Sequence, residues 1–200
     1  MGKRQPLQES LRSYRGTWAS GRPGGDPSRE LAVLERFERF LHSSPDCFER
    51  SHPPGHFTGS ALVFCPSTGR LLLTLHRKLE RWLQLGGHAD GCPRLDQVAL
   101  TEAREESGLE LLRFFPYEES LGQPGPLPFD LDVHRIPARP GEPEHLHYDV
   151  RFLVQADSRQ TLRPTDESRD LRWFTPDEAR RITRESSMHR QFDKLERVLL

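Results

Sequence analysis

Glu102, Glu105 and Glu106 stand at i, i+3 and i+4 of a stretch with helical character, so their carboxylates share one face of a single turn. Like charges that close destabilise a helix unless something offsets them. Two readings follow from the spacing. One is a solvated surface face. The other is a cradle for a hard divalent cation such as Mg2+ or Mn2+, which takes carboxylate oxygens and leaves room for phosphate oxygens and water.

The histidines offer a second kind of chemistry. Seven of the nine lie between residues 52 and 147, and several recur at short spacing: His52 with His56, His145 with His147, and His88 with Asp90. Alternate residues of a strand face the same side, so His145 and His147 converge if their strand begins early, and Asp130, Asp132 and His134 show the same alternation. Neutral imidazole is a common transition-metal ligand. The histidines are therefore either polar or phosphate-contacting groups or a second metal site, and Arg77, Lys78 and His88 are candidate contacts for a substrate phosphate.

The elements that must position these residues can be read from pattern. Behind Ser28 as a cap, Leu31, Leu34, Phe37, Phe40 and Leu41 recur at helical spacing and stop before Ser43-Ser44-Pro45, which predicts an amphipathic helix. Residues 60–65 and 70–75 flank Pro66-Ser67-Thr68-Gly69 and predict a β-hairpin. A short strand at 82–85 runs into Gly86-Gly87, and a helix from about residue 93 to 107 stops at Gly108, with Pro93 suited to its first turn. Further strands are predicted at 109–115, 129–136, 147–155 and 171–174, and helices at 176–182 and 188–200. Seven prolines between residues 116 and 143 keep most of that segment in loops. The order predicts an α+β fold with helices flanking a mostly antiparallel or mixed sheet.

Composition narrows the function classes. Two hundred residues, 34% hydrophobic and 30% charged, are enough to bury a core in one domain. The longest apolar runs, 61–65 and 71–73, fall far short of the roughly 20 residues needed to cross a bilayer, so no membrane span is expected. Twenty-nine Lys and Arg against thirty Asp and Glu give a net charge of −1, which argues against nucleic acid as the main partner. Cys47, Cys65 and Cys92 contain no CxxC pair, which disfavours a disulfide framework and a zinc knuckle and fits a reducing, cytoplasmic setting. Residues 1–28 hold Gly-Pro breaks and five basic side chains without the apolar stretch of a signal peptide, and are expected to form a flexible or loosely packed arm before a single domain at 29–200.

Residues 87–109 resemble the Nudix box, G-x5-E-x7-R-E-U-x-E-E-x-G-U with U a bulky apolar residue. Gly87, Glu102, Glu105, Glu106, Gly108 and Leu109 fall on it in register, and Ala103 fills a U slot. Pro93 replaces the first Glu and Thr101 the Arg. The hairpin before the box and Leu171-Arg172-Trp173-Phe174 with Pro176-Asp177-Glu178 after it extend the resemblance over residues 56–179.

The resemblance implies a Nudix fold, an α/β/α sandwich with a mixed sheet, here with an additional N-terminal helix. It also implies a metal-dependent hydrolase that cleaves a diphosphate bond in a nucleoside diphosphate linked to another moiety, of the ADP-ribose or nucleotide-sugar type. By resemblance Glu102, Glu105 and Glu106 are ligands of Mg2+ or Mn2+, with the Gly87 carbonyl as a fourth, and Thr101 bears on the orientation of Glu102. Catalytic roles fall to Glu102, Glu105 and Glu167, with Glu102 the box candidate for general base and Glu167 the candidate on a later loop. Glu142 and Glu144 are further options. Pro124 lies near a proline of ADP-ribose-cleaving relatives, and Tyr117, Phe129, Tyr148 and Trp173 are candidates for stacking a base. Homodimers are common in the family. Isopentenyl-diphosphate isomerase, a relative in the superfamily, also ligates metal through histidines placed like His56 and His88, but Gly86 stands where its catalytic cysteine is expected. The alternative that Pro93 and Thr101 motivate is a non-catalytic module that binds a nucleotide or a protein partner.

Overall fold

The computed structural model describes residues 2–21, 24–116, 125–166 and 168–199; Tyr117, Pro124 and Glu167 lie outside them. Two helices, α1 (Gln5–Thr17) and α2 (Pro27–Ser43), precede strands β1 (Gly55–Cys65), β2 (Arg70–His76), β3 (Arg81–Leu83) and β4 (Leu85–His88). Then follow α3 (Leu95–Ser107), β5 (Arg113–Phe114), β6 (Asp130–Ile136), β7 (His145–Gln155), β8 (Ser168–Phe174), α4 (Pro176–Ile182) and α5 (Ser186–Leu199). The sheet is mixed: β1 runs parallel to β7, while β2 and β4 both pair antiparallel with β1, β6 with β7, and β8 with β2. No described helix is long and apolar enough to cross a membrane.

Sequence pattern accounts for most of these elements. The turn at Pro66 to Gly69 closes the predicted hairpin, whose partners run from Val63↔Leu72 to Cys65↔Arg70. Helix α2 starts two residues earlier than a Ser28 cap would place it, because Asp26 and not Ser28 is the cap: its carboxylate accepts the N–H groups of Ser28 and Arg29 at 3.0 and 3.4 Å. Phe37 and Phe40 face the core, where Phe40 stacks on Tyr148 with ring centroids 3.9 Å apart, whereas Leu31 is 37% exposed. The predicted strand at 109–115 shrinks to Arg113–Phe114.

Two expectations differ more. The segment expected as a loose arm contains α1, whose Leu7, Leu11 and Tyr14, with Trp18 just beyond, form a buried stripe at helical spacing. The Trp18 indole N–H donates to the Pro128 carbonyl at 2.9 Å, tying this helix to the far side of the chain. Pro93 lies outside α3, which starts at Leu95 behind Arg94.

Candidate active site

The box is built as strand, loop and helix. Helix α3 lies across β1 and β4, with Leu95, Val98, Ala99 and Ala103 buried. The approach is close because β1 has glycine at the crossing: a Cβ on Gly59 would stand 2.6 Å from the Leu95 carbonyl oxygen. The helix ends at Gly108, whose φ of 70° is the left-handed cap that glycine adopts without steric cost.

This packing presents the glutamates to β4. The Glu106 carboxylate is buried and accepts the Gly86 N–H at 3.0 Å. Half-buried Glu102 lies against Gly87, where a Cβ would fall on its carboxylate. Glu105, on the same turn, is exposed. Thus Gly87, Glu102 and Glu106 come together, and the small Thr101 in place of the family arginine does not prevent Glu102 from reaching β4. Arg77 and Lys78 are exposed in the turn between β2 and β3, with the Lys78 N–H donating to His76 Nδ1 at 3.2 Å. Of the proposed base-stacking aromatics, Phe129 and Tyr148 are core residues: Phe129 packs edge-on to Trp18 at 5.9 Å and Tyr148 packs under α2.

The opposite face of β1, β7 and β4 is polar, a feature sequence reasoning only partly anticipated. Register places His134, His147 and His56 in one row and Asp132, Asp149, Thr58 and His88 in the next. Asp149 is the hub: Oδ1 accepts from Thr58 at 2.9 Å and Ser60 at 2.7 Å, and Oδ2 accepts from Gln84 at 3.1 Å and Arg151 Nε at 2.8 Å. Asp149, Thr58 and Ser60 were missed because their convergence depends on the parallel pairing of β1 with β7. The signal available was the two-residue repeat His56-Thr58-Ser60 beside His147-Asp149-Arg151.

His88 belongs to this polar face. Its Nδ1 meets the Arg50 guanidinium, and its ring stands 5.0 Å from His56 and 5.1 Å from His147. Burial lowers its pKa, and Arg50 adds to the effect. Burial and the surrounding imidazoles push His56 down to about 3 and His147 to about 2, so both rings are neutral at physiological pH. Among the described residues, His56, His145 and His147 are the one group of three His, Cys, Asp or Glu whose ligand atoms all lie within 4.8 Å of one another.

A NUDIX domain model matches residues 55–195. The chain belongs to the NUDIX family. The matched span runs from β1 into α5 and leaves α1 and α2 outside it. A comparison with curated proteins finds no match. Among solved structures, the chain is similar to a C. elegans Ap4A hydrolase in a binary complex, with 16% identity and a TM-score of 0.55 over 72% of this chain and 96% of that one. It is also similar to a NUDIX-family hydrolase from Clostridium perfringens (24% identity, TM-score 0.54, 70% and 96% covered). A third is the E. coli dihydroneopterin triphosphate pyrophosphohydrolase (15%, 0.52, 72% and 96%). These likenesses show a NUDIX fold, a mixed sheet flanked by helices.

Proposed function

We propose that this NUDIX chain is a Mg2+- or Mn2+-dependent hydrolase of a nucleoside diphosphate linked to another moiety, of the ADP-ribose or nucleotide-sugar type. The observation that carries the reading is the approach of Glu102 to the backbone of Gly87, beside Glu106 on the Gly86 N–H. Glu102, Glu106 and the Gly87 carbonyl, with Glu105 on the same turn, offer only oxygen donors, which suit a hard divalent cation better than a soft one. Glu102, Glu105, Glu106 and the Gly87 carbonyl would hold it. Bound there, the cation would offset the diphosphate charge and lower the pKa of a coordinated water.

The chain's own groups supply the rest. The Gly86 N–H fixes Glu106 and so orients the donor set from one side. Glu105, on the same turn, is exposed to solvent. Glu102, half-buried against Gly87, is the box candidate to accept the water's proton, and Glu167 is the candidate on the later loop. Arg77 and Lys78 are assigned to substrate phosphates; His88 is not, because it stands on the face of β4 opposite the carboxylates, beside His56 and His147. With Phe129 and Tyr148 in the core, Trp173 is the remaining candidate for the base among the described residues.

Nucleotide and phosphate release from ADP-ribose, nucleotide sugars, dinucleoside polyphosphates, nucleoside triphosphates and capped RNA, with Mg2+ and with Mn2+, tests the proposal. Metal-dependent turnover of the first two classes, lost in Glu105→Gln and Glu106→Gln, is expected. Turnover that persists in both variants, or that needs no cation, would refute the assignment.

A further inference from the structure

His56, His145 and His147 lie on the face of the β1–β7 ladder turned away from α3. Parallel register sets His56 beside His147, and the two-residue spacing brings His145 to the same side. Their rings stand 4.6 to 5.1 Å apart.

The hydrogen-bonding state of this trio is unusual. His56 has no solvent exposure, yet neither Nδ1 nor Nε2 has a hydrogen-bond partner. A buried imidazole with both nitrogens unmet is costly unless something else engages it. His145 Nδ1 lies 2.9 Å from the Pro143 carbonyl, and because a carbonyl only accepts, this nitrogen carries the proton. In the neutral ring the lone pair is then on Nε2. That lone pair faces His147 Nε2 at 3.2 Å. A tetrahedral ion with metal–nitrogen bonds of about 2.0–2.1 Å holds its ligand nitrogens about 3.3 Å apart. Anchoring the far ring nitrogen on a carbonyl is also how metal-ligating histidines are commonly fixed.

We propose that His56, His145 and His147 form a three-histidine site for a Zn2+-class transition metal, separate from the oxygen-donor set of the box. Neutral imidazoles suit Zn2+ and its neighbours and are poor ligands for Mg2+. Glu142, whose Oε1 is 3.8 Å from His145 Nε2, supplies a negative charge beside the open fourth position. The ion ties the start of β1 to the start of β7, so it stabilises the fold as well as offering a coordination position.

The test uses the full chain, stripped with chelator and desalted, then loaded with Zn2+ or Co2+. The expected result is one Zn2+ retained per chain by elemental analysis and a higher Tm. With Co2+, the intense visible absorption of four-coordinate nitrogen ligation should appear and should survive excess Mg2+. His56→Ala and His147→Ala should each weaken Zn2+ binding about 100-fold or more, while Glu105→Gln and Glu106→Gln leave it intact. Substoichiometric Zn2+, or ion lost with the glutamate variants, overturns the proposal. Should the histidine variants not fold, the wild-type Co2+ spectrum decides alone: weak six-coordinate absorption, or displacement by Mg2+, places the ion on the carboxylates and overturns it.

Discussion

Glu102 occupies the space in which a side chain on Gly87 would stand, while on the neighbouring strand Gly59 admits the backbone of α3 itself. The two glycines therefore fail differently. In Gly87→Ala the clash is with the flexible end of a glutamate, which can swing away, so stability should change by no more than about 1 kcal/mol. Displacing that carboxylate should lower hydrolysis about 100-fold. In Gly59→Ala the clash is with the Leu95 carbonyl and the helix must lift, at a cost of about 1–3 kcal/mol. Thermal melts beside turnover separate the two, and a Gly87→Ala enzyme with full activity would remove Glu102 from the site.

Lys194 is fully buried, donating to the Phe129 carbonyl at 2.9 Å and pairing with Glu30 at 3.1 Å and Asp130 at 3.4 Å, above the Trp18 ring. Lys194→Met keeps the aliphatic stem and takes one buried cation from Glu30 and Asp130, which leaves them to Arg29 and Arg190. The expected loss is about 3–5 kcal/mol, read as a fall in denaturation midpoint. An unchanged midpoint would mean that Arg29 and Arg190 suffice.

Acid should unfold the protein partly through Asp130. Burial alone would raise its pKa, but Lys194, Arg190 and Arg29 outweigh burial and hold it at about 2. An unfolded aspartate titrates near 3.9, so between these values the unfolded chain binds the extra proton. The contribution, about 2 kcal/mol, is complete above about pH 5 and is lost as pH falls toward 2. Chemical denaturation at stepped pH should show this decline, and it should shrink in Asp130→Asn; a flat profile over that range contradicts the assignment.

Trp18→Ala tests whether α1 is part of the fold. Removing the indole opens a cavity beside Phe129 and leaves the Pro128 carbonyl without its donor. A loss of about 3–5 kcal/mol is expected, visible by calorimetry, whereas a loosely attached arm would give no change.

The box and the strands around it were legible because their signals are local. Gly87, Glu102, Glu105 and Glu106 are fixed by spacing along one turn and one loop, and the hairpin by its own turn residues. Helix α1 was hidden for a physical reason: 13 residues with Pro6 near the start and interleaved Arg and Ser make a marginal helix in isolation, and its stability comes from the partners of Leu7, Leu11, Tyr14 and Trp18. The histidine trio was half legible. The alternation of His145 and His147 could be read along β7, but the approach of His56 is a matter of register between strands far apart in sequence.

That same register bears on the order in which the molecule assembles. From Gly55↔Leu146 to Phe64↔Gln155, every partner of β1 in the parallel ladder lies about ninety residues further along the chain. No hairpin can nucleate such a pairing, and the entropy of closing so long a loop precedes any gain from contacts. The hairpin β1–β2 and helix α3 can form while β7 is still unpaired, leaving the apolar edge of β1 open to wrong partners. Refolding should therefore pass through a slow, concentration-sensitive stage, during which the carboxylate turn already exists and the histidine face does not.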